Sequence, residues 1–160
     1  MSWYVRSVRD GKWWDVGPRG FVTELVDDEK PQVGVNLFVL RPAQPMAMYH
    51  WEADQEGFLV LSGEALLIVE GEERPLRAWD YFHCPPNVSH TIVGAGSGPC
   101  AILALGGREH DGRDDWGGYP YSELAMKHDA STEEETTDPE VAYRRFPSGK
   151  PTEFREDWLS

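Results

Sequence analysis

Between residues 32 and 105, short runs of β-branched, aromatic and aliphatic side chains alternate with turn-forming residues. The runs cover residues 33–40, 46–52, 57–61, 65–70, 74–76, 80–83, 90–93 and 101–105. The interruptions hold Pro42, Pro45, Gly63, Gly71, the Pro85-Pro86-Asn87 turn and the Gly94–Pro99 loop. Runs this short, so evenly broken by Gly, Pro and Asn, predict an all-β barrel or sandwich of antiparallel strands. The stretch 65–69 is apolar at every position, so it predicts a strand buried on both faces and an element that covers its outer side. An N-terminal arm or a second subunit is the expected cover.

Outside this region the pattern weakens. Residues 1–30 predict two short strands, near 3–8 and 21–26, in an N-terminal arm. Residues 107–160 read as a polar extension on the barrel or on a partner subunit, and the barrel proper as 31–106. Within the extension, 106–121 predicts a loop and 122–128 one or two helical turns. Asp138 followed by Pro139 and Glu140 predicts a helix start, with Asp138 as N-cap, and a helix running to about Phe146. Pro147, Gly149 and Pro151 end it. Residues 154–158 are expected to dock on the barrel. No internal repeat is present, so the chain predicts one barrel with a short C-terminal helix and an irregular acidic tail.

Charge and composition narrow the function. The 160 residues carry 15 basic and 28 acidic side chains, a net charge of −13, which argues against nucleic-acid and anionic-membrane partners. Residues 1–15 lack the apolar stretch of a signal peptide, and no segment reaches the ~18 apolar residues of a membrane span. A cytoplasmic protein is the expectation. Cys84 and Cys100 form no CxxC pair, which excludes a zinc ribbon; free buried thiols are expected rather than a disulfide. The seven tryptophans are read mostly as wall and lid material around the barrel.

The candidate chemistry lies in two runs, YHWEADQEGFLVLSG and WDYFHCPPNVSH. Residues two apart in a strand share a face, so His50 and Glu52 point the same way. Ala53–Gln55 is a tight connection that returns Glu56 beside them, and His90 opens a later strand. In a closed sheet the four converge. Two carboxylates in one small cavity repel each other and are costly to desolvate; a divalent cation neutralises both and orders the imidazoles. Without one, at least one Glu is expected to hold a proton with a raised pKa. His83 is expected to be a wall residue near this site, and His110 and His128 to be solvated.

These runs resemble the cupin superfamily. Its first motif has a His, any residue, a second His, three or four residues, a Glu, six residues and a Gly. Here His50 and Glu56 match, Gly63 falls in place and Glu52 stands where the second His would be. The second motif has a Gly, five residues, Pro, any residue, Gly, two residues and His. Here Pro85 and His90 match, while Trp79 and Asn87 replace the glycines and Gly94 stands where an Asn would follow. The resemblance covers about residues 33–105 and implies a jelly-roll barrel, one metal ion near its mouth and a homodimer. By resemblance His50, Glu52, Glu56 and His90 would hold the ion. A set of two His and two Glu is harder and more anionic than three His and one Glu, which suits Mn, Fe, Zn or Ni. Alternatively Glu52 leaves the metal and acts as general base. The resemblance implies a metal-dependent enzyme on a small organic molecule, of dioxygenase or isomerase type; the alternative is a non-catalytic small-ligand-binding module.

Overall fold

The computed structural model describes residues 3–159. Twelve antiparallel strands dominate: β1 (Trp13–Asp15), β2 (Phe21–Glu24), β3 (Val33–Leu40), β4 (Trp51–Glu52), β5 (Glu56–Ser62), β6 (Glu64–Val69), β7 (Glu72–Arg77), β8 (Tyr81–Cys84), β9 (His90–Ala95), β10 (Cys100–Gly107), β11 (Gly117–Gly118) and β12 (Lys150–Thr152). They form a seven-stranded sheet in the order β12-β1-β2-β3-β10-β5-β8, a three-stranded sheet β7-β6-β9 and a ribbon β11-β4. The two larger sheets face each other. Leu40, Phe58, Val60 and Ile102 from one meet Ala65, Leu67 and Ile92 from the other in the main core. This is the expected all-β antiparallel barrel.

The two-residue period of β3 serves two regions at once. Leu37 and Val39 point outward into a second core with Trp13, Phe21, Ala101 and Trp158. Asn36 and Phe38 point inward and line a cavity. The N-terminal hairpin β1-β2 extends the large sheet, and the C-terminal segment with Phe154 and Trp158 closes its outer face. Trp158 stacks between Trp13 and Phe21, with ring centroids 4.8 and 4.6 Å away. Docking of residues 154–158 follows the sequence reading. The predicted strand at 3–8 does not form; the first strand lies at Trp13–Asp15, held between β2 and β12.

The apolar strand β6 is covered as its composition requires, but by a different element. Ile68 packs under Tyr49, Val93, Ala125 and Ala130, so the cover is the short helix α1 (Glu123–Met126) and the turn after it. Neither the N-terminal arm nor a partner subunit is needed there. The second helix, α2 (Pro139–Tyr143), starts at Asp138, whose Oδ1 accepts from the Glu140 N–H at 2.9 Å. It stops three residues before the predicted end at Phe146.

Several turns use left-handed backbone. Gly63, between β5 and β6, has φ 74°, and a Cβ there would lie 2.4 Å from the Pro99 carbonyl oxygen, so only glycine fits without displacement. Asn87 takes φ 65°, as its tolerance of that region predicts. Trp79, at the other expected glycine position, also adopts a positive φ of 75°. Both cysteines are buried free thiols. No helix among the described residues is long and apolar enough to cross a membrane.

Candidate metal centre

His50 and His90 are opposite each other across a bridge between neighbouring chain segments. The His50 N–H donates to the His90 carbonyl at 3.1 Å and the His90 N–H to the His50 carbonyl at 2.8 Å. Their rings are 4.8 Å apart at the centroids. Each ring is fixed in the same way. His50 Nδ1 lies 2.7 Å from the Met48 carbonyl oxygen, and His90 Nδ1 lies 3.0 Å from that of Val88. A carbonyl can only accept, so each Nδ1 carries the proton. Each neutral ring then presents the lone pair of Nε2 to the cavity, the orientation a metal-ligating histidine requires.

Glu56 opens β5 and faces the same point. Its Oε2 lies 3.3 Å from His90 Nε2, yet the alignment makes no hydrogen bond, and both atoms are buried without a partner. Two acceptors face each other there. Only a proton or a cation between them relieves the repulsion. Burial, reinforced by the Glu52 charge and opposed by His50 and Arg108, pushes the Glu56 carboxyl up to about 7. Burial and the neighbouring His50 lower His90 to about 3. For His50, burial works against the charged form, but the Glu52 hydrogen bond and the two carboxylate charges outweigh it and raise its pKa. One donor atom each from His50, Glu56 and His90 lies within 4.8 Å of the others, close enough to converge on one ion after small side-chain adjustment. The donor set fits a divalent cation: two imidazole nitrogens, one carboxylate oxygen, and buried atoms that lack any other partner.

Glu52 lies at the edge of this group and outside the set of three. Its Oε1 is 3.6 Å from His50 Nε2, and the side chain is half-buried on β4. His50 and Glu52 thus share a face, as their spacing predicts. Cys84 also approaches, with Sγ 3.3 Å from His90 Nδ1. Burial and the surrounding carboxylates push its thiol up to about 12, so it stays protonated.

His83 is exposed on β8, pointing away from the site, and is not the wall residue its position in the sequence suggested; the alternation of β8 sends its neighbour Cys84 inward. His110 and His128, expected to be solvated, are partly exposed, but each is paired with a carboxylate. His110 Nδ1 pairs with Asp54 Oδ1 at 2.7 Å, and His128 Nε2 with Glu73 Oε1 at 2.6 Å.

The site opens into a cavity of about 180 Å³ lined by Asn36, Phe38, Phe58, Arg108, Trp116 and Tyr143 among others. A wider vestibule of about 560 Å³ lies outside it, and Glu52, Arg108, Trp116 and Tyr119 line both. Much of this wall comes from the polar extension, which folds over its own barrel: the Tyr143 hydroxyl accepts from the Met48 N–H at 3.1 Å. Arg108, Trp116, Tyr119 and Tyr143 were not singled out by the sequence reading. The aromatic residues within an otherwise acidic tail were the available signal. Of the seven tryptophans, Trp116 alone lines the inner cavity among the described residues, while Trp13 and Trp158 serve the outer core.

Comparison with known proteins bears on the fold. No curated protein matches the chain. A protein from Acidithiobacillus ferrooxidans, provisionally named a sugar phosphate isomerase, superposes with a TM-score of 0.50 at 22% identity, over 57% of this chain and 62% of its own. The match therefore spans less than two thirds of that relative's length. A sugar phosphate isomerase from a cupin superfamily, from Silicibacter pomeroyi, gives a TM-score of 0.56 at 23% identity over 64% of this chain and 74% of that one. A Cupin 2 conserved barrel domain protein from Salinispora arenicola gives 0.55 at 18% identity over 66% and 89%. Residues 36–106 match the family described as Cupin domain. With both motifs folded as a barrel around His50, Glu56 and His90, residues 36–106 form a cupin domain, and the fold is that of the cupin structures it superposes on.

Proposed function

We propose that this protein is a metal-dependent enzyme that moves a proton on a small organic molecule, an isomerase-type reaction, with His50, Glu56 and His90 holding one divalent ion. One observation carries the reading: two Nε2 lone pairs and the Glu56 Oε2 meet at a buried point, and two of those three atoms have no partner. The ion is Mn, Fe, Zn or Ni, in keeping with a nitrogen and oxygen donor set. When bound, it would polarise a carbonyl or enediol oxygen of the substrate.

Glu52 is the base in this reading. It lies outside the tight group of three but lines the inner cavity and the vestibule, so its carboxylate faces the space a substrate would fill. Its Oε1 lies 3.6 Å from His50 Nε2, which puts the carboxylate beside the point where the ion would sit. Phe38, Met46 and Phe58 give the cavity an apolar floor that limits water. The cavity is smaller than the ~300–1,000 Å³ typical of drug-sized ligands, so the reacting part of the substrate is a few carbon atoms long. The protein is expected to act in the cytoplasm as a homodimer, and mass photometry reads the second part directly.

Elemental analysis of the protein as purified and after chelation and reloading tests the metal. Near one equivalent is expected, and none under any loading condition refutes the site. Glu52→Gln separates base from ligand: metal content is retained and turnover falls about 10²–10⁴-fold if Glu52 is the base. A parallel loss of metal makes it the fourth ligand. Oxygenase-type chemistry would use the same three ligands, and O2 consumption during turnover would identify it. Stabilisation by a ligand that is never turned over would instead identify a binding module.

A further inference from the structure

We propose that Arg108 is an oxyanion-binding residue and that the substrate is a small hydroxy acid whose carboxylate or phosphate end rests on its guanidinium. The inference deepens the proposed function and rests on the metal reading for its charge balance.

The guanidinium lies in a prepared place. Gly34 on β3 and Gly106 on β10 are register partners on neighbouring strands. A Cβ on Gly34 would fall 2.3–2.7 Å from Nη2, Cζ and Nε of Arg108, and one on Gly106 would fall 2.9 Å from Nη1. Neither glycine has a positive φ, so no turn demands it. The paired absence of side chains makes a flat bed on which the guanidinium lies. The backbone is also fixed: Arg108 N–H donates to Gln32 O at 3.1 Å.

This arginine is held in position but not neutralised. Its side chain makes one hydrogen bond among the described residues, from Nη1 to the carbonyl of its neighbour Gly107 at 3.1 Å, and it lies within 4.0 Å of no carboxylate. It lines both the inner cavity and the vestibule. Glu52 and Glu56 are the acids of the inner cavity, and a divalent ion there cancels both. Asp54 feels the Arg108 charge but makes its hydrogen bonds to His110 instead. With the ion bound, Arg108 is the uncompensated charge at the cavity, and its free N–H donors suit an oxyanion bidentately. The hydroxyl is called for by Asn36, which lines the same cavity and whose Oδ1 is buried with no partner. A buried acceptor of that kind is stabilised by a ligand O–H.

The test compares matched probes on metal-loaded protein by calorimetry: lactate against lactamide, and glycerol 3-phosphate against glycerol. The wild type is expected to prefer at least one anion over its neutral counterpart by roughly tenfold to a hundredfold, the range of a charge-assisted contact. The pair showing the larger preference assigns carboxylate or phosphate. Arg108→Gln should abolish the preference, and Arg108→Lys should keep part of it. The metal content of both variants should equal that of the wild type. No preference in the wild type, including no binding of either anion, overturns the proposal, as does a preference that survives Arg108→Gln. Failure of the metal reading is a separate result, since it appears as a wild type that takes up no ion. Should Arg108→Gln fail to fold, Gly34→Ala, which pushes the guanidinium from its bed, provides the same comparison.

Discussion

The two faces of the large sheet are built from the same strands and do opposite things. On the outer face Leu37, Val39 and Ala101 meet Trp13, Phe21 and Trp158 in a close aromatic pack. The Trp13 indole N–H donates to the Val8 carbonyl at 2.7 Å, so the largest buried group there is satisfied. On the inner face Asn36 and Glu56 carry buried polar atoms without partners, and His90 brings a third from β9 of the facing sheet. The outer face stabilises by area and contact. The inner face retains unmet hydrogen-bonding capacity, which costs stability and is useful only to a ligand. Single unpartnered atoms occur elsewhere, at Thr23 and Ser62, but the gathering of three buried acceptors, from Asn36, Glu56 and His90, in and beside one cavity is the clearest physical mark of the working site.

The sharpest way to break the contrast is to remove an imidazole. His50→Ala and His90→Ala are each expected to abolish stoichiometric metal while far-ultraviolet circular dichroism stays that of the folded barrel. A folded variant with full metal would show that the inner face is not a metal centre. The complementary change is Trp158→Ala on the outer face. It should cost about 3–5 kcal/mol in denaturant unfolding and leave metal stoichiometry intact in the folded protein.

Protonation sharpens the comparison further. Metal-free Glu56 holds its proton up to about 7, against 4.5 for an ordinary Glu. The folded form therefore binds the extra proton, and the stability this group contributes is full below 4.5 and lost as the pH rises through 7. His90 runs the other way. Lowered to about 3 from 6.5, it gives stability present above 6.5 that is lost as the pH falls towards 3. A metal must displace the Glu56 proton, so its affinity should fall by up to about tenfold per pH unit below 7, read by chelator competition. Glu56→Gln should bind metal more weakly and show a shallower pH dependence, the remainder coming from the His50 proton, while Trp158→Ala should keep the full dependence.

The smallest effect lies away from both faces. Trp79 is exposed and holds a left-handed φ of 75° that favours glycine. Trp79→Gly should stabilise the protein by about 0.5–1 kcal/mol, the strain relieved less the entropy of glycine, with metal content unchanged. Thermal unfolding checks it.

Much of this was legible along the chain. The strand 33–40 was placed at its observed ends because its β-branched run is bounded by turn residues on both sides. Glu56 was placed beside His50 because a three-residue connection allows little else. Residues 46–52 were less well read. Only Trp51–Glu52 pairs as a strand, and the rest is irregular backbone anchored by bridges at Pro45 and His50. Local alternation could not show this, because the irregularity is imposed by β9 across the barrel. The extension was the least legible part. It was expected to pack on the barrel or on a partner subunit, but its polarity gave no sign of which residues would meet the site: Tyr119, buried, and Tyr143, half-buried, line the cavity as a perpendicular ring pair 5.7 Å apart.

By itself the sequence determined the kinds of donor atom available, the strands that carry them and the turns that bring those strands together, because period and turn chemistry act over a few residues. Only the tertiary structure decided which nitrogen of each imidazole faces inward, that Arg108 lies on the Gly34–Gly106 bed, and that the tail rather than the N-terminal arm covers Ile68. Those outcomes depend on contacts between segments distant in the chain, and they are fixed only when the sheets close on one another.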